Sequence, residues 1–261
     1  MLGSHWIRLT PSALERQLCG YFPGIAKKTV RSTIKKLVSD GILQYTNHFN
    51  TTHLELNYLR PVQVSPRIIL APCSSSCSSN DKDLLYIKLN QGGAFGIGDH
   101  PTTRLSLHGV DFAMQHAVSK KRPEKIRALD IGTGSGVLAI AAVGLGAESA
   151  VGLDICPIAL HEAKENIRMN NMELKIRLTT DSLQSLGGLR FALISANLRP
   201  PTLMQMLPMI KALSGPETYW VFSGCKAEAA ERLAGSLIRQ NAKILWQETS
   251  CGWAGMAAII R

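Results

Sequence analysis

The run Asp130-Ile131-Gly132-Thr133-Gly134-Ser135-Gly136 sets a carboxylate directly before a turn rich in glycine. Ile126–Ile131 ahead of it reads as a strand and Val137 onward as a helix, the context in which backbone N–H groups come close to a bound molecule. A dinucleotide fingerprint spaces its glycines as Gly-x-Gly-x-x-Gly and seats a pyrophosphate on the helix N-terminus. Here the spacing is Gly-x-Gly-x-Gly, and Asp130 would repel a pyrophosphate while accepting from a cation. Asp154 closes the next strand candidate, Ala150–Ile155, where a carboxylate can accept both hydroxyls of a ribose. Asp181 follows Leu174–Thr180 and serves either an adenine or a turn of its own. Asn197 ends the fourth candidate, Phe191–Ala196; its amide oxygen can accept from an attacking amine and orient the lone pair.

A nucleoside with a cationic amino-acid end suits Asp130 and Asp154 together, which points to S-adenosylmethionine (SAM) with its ammonium and its sulfonium. Methyl transfer from a sulfonium is an in-line displacement, so the protein has to hold the nucleophile roughly 3–3.5 Å from the methyl carbon and exclude water. A lysine amine, with a free pKa near about 10.4, must also arrive neutral. No residue demands the role of base, and Asn197 is the one catalytic candidate. No metal site is expected.

The elements that carry these residues alternate between apolar runs and helical stretches, the pattern of a doubly wound α/β domain. Three further strand candidates are Thr218–Ser223, Ala242–Gln247 and Met256–Ile260. Only residues 248–255 separate the last two, too few for a crossover helix, so these strands pair antiparallel. Seven strands with the last reversed make the Rossmann-like sheet of class I methyltransferases.

Two more stretches narrow the class. Gly93-Ala94-Phe95-Gly96-Ile97-Gly98-Asp99-His100-Pro101-Thr102-Thr103, then Ser195-Ala196-Asn197-Leu198 and Phe222-Ser223-Gly224, resemble PrmA-like ribosomal protein methyltransferases over roughly residues 60 to 261. The resemblance implies SAM-dependent N-methylation of a protein amine, on lysine or an N-terminus, with a ribosomal or ribonucleoprotein substrate. It sets Phe95 beside the methionine portion of the cofactor and Thr102 and Thr103 against it. Gly132, Thr133, Gly134 and Gly136 of the loop, with Asp130, Asp154 and Asp181, complete the cofactor set, and Asn197 meets both cofactor and amine. Pro101 suits the first turn of a helix, whose free N–H groups and positive dipole end would receive a carboxylate; His100 is read as part of that helix start.

The N-terminal quarter differs from the ferredoxin-like recognition domain that such enzymes carry. Residues 1–60 hold eight Lys/Arg against three Asp/Glu, the denser share of a chain whose net charge is +10. Pro11 to Gly20 and Thr29 to Ser39 read as helices, and Ile42–Phe49 and His53–Tyr58 as a hairpin around Asn50-Thr51-Thr52. This resembles a winged helix that recognises substrate or nucleic acid, with Lys27, Lys28, Arg31 and Lys35 as the contact residues. Residues 61–82, with Pro61, Pro66, Pro72 and a serine-rich run, are expected to be linker and loop, leaving 83–261 as the methyltransferase domain. Alternatives are a nucleic-acid methyltransferase targeted by the winged helix, or a SAM-sensing DNA-binding regulator. Two residues, Leu198 and Arg199, separate Asn197 from Pro200-Pro201, and no aromatic follows to stack on a flipped base, which weighs against base modification. The six cysteines, among them the Cys73/Cys77 pair, lack metal-ligand spacing, Lys120-Lys121-Arg122 reads as solvated charge, and the tryptophans show no stacking pattern. With no apolar run long enough to cross a bilayer, a cytoplasmic protein is expected.

Overall fold

The computed structural model describes residues 9–48, 51–57, 59–74, 83–90, 92–119 and 125–261. Most of the serine-rich run, Cys77, Lys120-Lys121-Arg122 and Trp6 lie outside them. The chain divides into two units, residues 1–62 and 63–261.

In the first unit, α1 (Pro11–Tyr21) opens on a Thr10 cap that accepts from Ala13 N at 3.3 Å, with Pro11 in the first turn. The second helix, α2 (Lys27–Ser39), buries Val30 and Ile34 against Leu54, with Leu14, Leu18, Val38 and Leu43 around them. Its apolar residues recur at helical spacing, which leaves the basic ones outside. Strands β1 (Leu43–His48) and β2 (Thr51–Leu56) pair antiparallel from Leu43↔Leu56 to His48↔Thr51. Thr51 and Thr52, expected in the turn, therefore belong to the strand, a place that suits β-branched side chains.

Two-residue β3 (Val62–Gln63) spans the boundary between the units. Beyond it, β4 (Ile68–Pro72) is buried at all five residues and pairs parallel with β5 (Leu85–Leu89). This strand lies inside the stretch expected as linker. The prolines around it signalled a loop, but Ile68-Ile69-Leu70-Ala71 is apolar enough to be drawn into the core, and Pro72 sits at the strand's end, where its missing N–H does least harm.

All seven strand candidates form one sheet: β6 (Arg127–Ile131), β7 (Ser149–Leu153), β8 (Ile176–Thr179), β9 (Phe191–Asn197), β10 (Ser214–Lys226), β11 (Ala242–Ser250) and β12 (Trp253–Ile260). Their order is β11-β12-β10-β9-β6-β7-β8, with β12 antiparallel to both neighbours and the other pairs parallel. Side chains alternate between two cores. Leu193 and Val221 pack with Leu107, Val110 and Met114 of α3 (Pro101–Ser119) and Ile140 of α4 (Val137–Gly144). Ile194, Trp220 and Phe222 pack with Leu203 and Leu207 of α6 (Pro200–Ala212) and Leu233 and Leu237 of α7 (Ala230–Arg239). Between β7 and β8 runs α5 (Pro157–Met169). The alternation sets Ser195 and Asn197 on the α3 side of the sheet, at the end where the parallel strands finish.

Polar pins hold α3 in place. Buried Asp111 accepts from Ser65 Oγ at 2.6 Å, from Arg67 Nε at 2.6 Å and from Arg67 N at 3.1 Å. At the other edge His108 Nδ1 lies 2.7 Å from Glu248 Oε2 of β11, and its ring meets Trp246 edge-on. The hydrogen bond to Glu248 raises the His108 pKa above 6.5, and burial offsets part of the rise. A raised histidine stabilises the fold fully below its unfolded pKa and loses that contribution as pH rises through the folded value. The difference in melting temperature between the wild type and His108→Ala is therefore largest near pH 6 and shrinks toward pH 9; a difference independent of pH would remove the charged pair from the account.

Candidate active site

The turn between β6 and α4 spends its backbone donors on the protein. Gly132 N and Thr133 N both donate to Leu153 O, at 2.8 and 2.9 Å, and Gly136 N donates to Thr133 O at 2.8 Å. Gly134 N donates to Asp154 Oδ2 and Ser135 N to Phe95 O, each at 2.9 Å. No N–H from 132 to 136 is left for a pyrophosphate. The sequence reading of a turn that offers its amides to a ligand is corrected on this point, while its exclusion of a dinucleotide is strengthened. Glycine is needed for approach instead: Gly134 has φ +52°, and a Cβ there would lie 2.4 Å from Phe95 O. A Cβ on Gly132 would lie 2.7 Å from Leu198 Cδ2, so the turn also closes against the residue after Asn197.

Asp130 is 1 % exposed, with Thr133 Oγ1 donating to Oδ2 at 2.7 Å and Ser195 Oγ to Oδ1 at 2.8 Å. It is thus a fastening between β6, the turn and β9 rather than the exposed acceptor the sequence suggested. Burial raises its pKa to about 6 against the two hydroxyl bonds that lower it, and the Asp154 charge adds to the rise. Asp154 is half-buried just past β7, accepting from Gly134 N and, through Oδ1, from Cys156 N at 2.9 Å. Each of its oxygens keeps a second acceptor direction. Beside it Ile155, 88 % exposed, and Ile158 offer bare apolar surface. Asp181 is exposed, 4.0 Å from Arg177 Nη2, and its N–H donates to Thr179 Oγ1.

Residues 92–100 form a strap over the turn. Gly93 N and Ala94 N donate to the two carboxylate oxygens of Glu162 on α5, both at 2.8 Å. Ser135 Oγ donates to Gly96 O at 2.9 Å, and Arg104 Nη1 donates to Gly98 O and Asp99 O at 3.3 Å. Asn166, also on α5 and buried, donates to Ser135 O at 2.8 Å and accepts from Asn90 N at 2.9 Å. The strap presents Phe95 54 % exposed, with its ring 5.3 Å from that of His100. His100 Nδ1 accepts from Thr102 N at 3.3 Å and lies 2.8 Å from Thr102 Oγ1, the helix-start role expected of it. Thr103 is 1 % exposed, and its hydroxyl has no hydrogen-bond partner among the described residues.

The structure brings Phe95, Thr102, Thr103, the glycine turn, Asp130 and Asp154 into one connected patch, with Asn197 reached through Leu198. The Asn197 side chain is half-buried, and its amide has no partner among the described residues. Lys27, Lys28, Arg31 and Lys35 belong to the other unit, exposed on α2. Two of them are turned inward in charge: Arg31 Nε donates to Glu15 at 2.6 Å, and Lys27 Nζ lies 3.6 Å from the same carboxylate. Glu162, Asn166 and Ile155 were not singled out from the sequence, and Ser195 entered only as part of the run before Asn197. Asn166 had a usable signal, being polar at the spacing of the buried positions Ala159 and Ala163.

Carboxylate oxygens with spare acceptor capacity, exposed isoleucines, an orphaned hydroxyl and a glycine turn whose N–H groups are all satisfied fit a nucleoside without phosphates. The fold is that of the class I methyltransferases, whose sheet runs in this order with one reversed strand. Residues 32–259 match the family described as ribosomal protein L11 methyltransferase (PrmA). The chain belongs to that family. The match begins well before residue 60 and so takes in part of the first unit. The ribosomal protein L11 methyltransferase of Geotalea uraniireducens is 33% identical over 178 residues, 67% of this chain and 56% of the relative. That of Pediococcus pentosaceus is 31% identical over 78% of this chain and 62% of the relative. The chain thus spans a little over half the length of the curated relatives it matches. The solved ribosomal protein L11 methylase of Lactobacillus delbrueckii subsp. bulgaricus is 28% identical with a TM-score of 0.65, covering 76% of this chain and 97% of that one.

An ionised carboxylate held as deep as Asp130 costs stability as pH rises from 3.8 through about 6. Asp130→Asn removes that cost, so its melting temperature gains on the wild type between pH 4.5 and 7.5 in parallel thermal scans. A gap that stays constant over this range would mean that Asp130 does not titrate as a buried acid.

Proposed function

We propose that this chain is a SAM-dependent N-methyltransferase acting on an amine of a ribosomal protein; the family's description, a ribosomal protein methyltransferase, supports the substrate class. The observation that carries the reading is the unpartnered Asn197 amide at the end of β9, one residue before the Leu198 that closes on the glycine turn. When bound, SAM supplies an electrophilic methyl group on a sulfonium. Asp154 holds the ribose hydroxyls through its spare acceptor directions, with Ile155 and Ile158 against the base and Asp181 at the adenine end. Thr102, Thr103 and the start of α3 take the amino-acid end, while Phe95 shields it from water. Asp130, Gly132, Thr133, Gly134 and Gly136 give the floor of the site its shape. Asn197 accepts one N–H of the incoming amine and turns its lone pair toward the methyl, catalysis by positioning.

The membership of residues 32–60 in the family match supports a substrate-recognition role for the first unit. Lys28 and Lys35, the two of the four contact residues not engaged with Glu15, are proposed to face a polyanionic partner such as ribonucleoprotein.

Radiolabelled methyl transfer to purified ribosomal proteins, with and without nuclease, tests the function. Asn197→Ala keeps SAM affinity within about twofold and lowers turnover by roughly 10²-fold, the scale of lost positioning. Asp154→Ala weakens SAM binding by roughly 10- to 100-fold, as expected for losing charge-assisted bonds. Unchanged turnover in Asn197→Ala would displace the acceptor site; label found only in nuclease-sensitive material would displace the protein substrate.

A further inference from the structure

At the edge of the sheet where Asn197 ends β9, three rings stand in a row. Phe95 meets His100 at 5.3 Å between centroids, and His100 meets Trp253 edge-on at 5.0 Å. Over the Trp253 ring, 3.8 Å from its centroid, lies Lys226 Nζ. The pairing places this group relative to Asn197: Asn197 is in register with Ser223, Ser223 with Gly255, and Lys226 with Trp253. Two strand spacings, about 10 Å, separate the β9 and β12 backbones there. Trp253 shares a sheet face with Gly255, whose missing Cβ would meet Leu105 of α3, and with Ala257, which packs in the α3 core. That is also the face to which the alternation through Leu193 and Ser195 assigns Asn197. The acceptor amide and the tryptophan thus stand on one side of one sheet edge, with Phe95 and His100 of the strap and α3 start beside them.

We infer that the face of Trp253 is a docking subsite where the acceptor is first held as an alkylammonium, before it gives its proton to solvent and passes on to Asn197 as the neutral amine, and that Lys226 is the resident competitor there. The inference rests on the proposed amine-methylating function and names a specificity-determining surface for it. The ability of this face to hold an alkylammonium is visible directly, because the side chain of Lys226 is one. An indole is the strongest of the aromatic cation acceptors, and a lysine chain lays its methylenes along such a ring while its charge rests on the π-face. Lys226 is exposed and among the described residues its ammonium rests on Trp253 without an ion pair, so an incoming lysine displaces it at small cost. The resident lysine makes the site selective: a neutral side chain gains no cation–π energy and still has to move Lys226, whereas an ammonium replaces like with like.

The test uses the 15N-labelled full chain and follows the Trp253 indole signal, assigned by its loss in Trp253→Phe. The probes are Nα-acetyl-lysine N-methylamide and its uncharged counterpart without the ammonium, Nα-acetyl-norleucine N-methylamide. The lysine compound shifts the Trp253 signal and the norleucine compound does not; Lys226→Met binds the lysine compound about two- to fivefold more tightly, the worth of an exposed cation–π contact. Equal response to both probes, no response to either, or unchanged affinity in Lys226→Met would overturn the subsite. A calorimetric SAM titration of Lys226→Met separates the two levels: SAM binding with a silent Trp253 removes the subsite alone, whereas loss of SAM binding in this variant and the wild type removes the function.

Discussion

Ser135 donates its backbone N–H to Phe95 O and its hydroxyl to Gly96 O, so one residue of the glycine turn stitches the strap to the Rossmann-like sheet. Everything around it serves that junction. Gly134 makes room for the Phe95 carbonyl, Asn166 holds the Ser135 carbonyl from α5, and Glu162 ties the strap's first N–H groups to the same helix. The strap then runs straight into α3, whose first turn is capped by His100. A ligand entering this site meets a wall and a floor that are already joined, and preorganisation of that kind lowers the ordering cost of binding.

The same economy explains why the glycine turn is not a phosphate cradle. Each N–H from 132 to 136 is satisfied by the protein, two of them by the carbonyl that ends β7 and one by Asp154. The carboxylate just past β7 therefore shapes the turn through Gly134 N and its own exit from the strand through Cys156 N, and each oxygen keeps a further acceptor direction. Asp130 lies beneath, its charge held by two hydroxyls and its pKa raised by burial. A buried acid with satisfied hydrogen bonds fixes the geometry of three elements at once.

Much of this was legible in the sequence, and the particulars show why. The seven strands announced themselves because each is a short apolar run between helical stretches, and the reversal of β12 followed from the short connection after β11. Asp154, Gly134 and Asn197 stood out because residue type and strand-end position coincide. Asp130 was found, but its role was not: a carboxylate before a glycine turn looks the same in sequence whether it faces a ligand or is sealed by Thr133 and Ser195 from two different elements. Glu162 and Trp253 were illegible for a related reason, since each acts on a segment 69 or 153 residues away, at Gly93 and His100 respectively. The buried strand β4 was missed because its flanking prolines spoke louder than its four apolar residues.

The central claim, that the strap and turn form a pocket for a phosphate-free nucleoside cation, is tested most directly by calorimetric titration of the full chain with SAM and, separately, with NADH. The account predicts one SAM bound per chain and no heat from NADH, because no amide of the turn is left for a pyrophosphate. Binding of NADH in preference to SAM would contradict it.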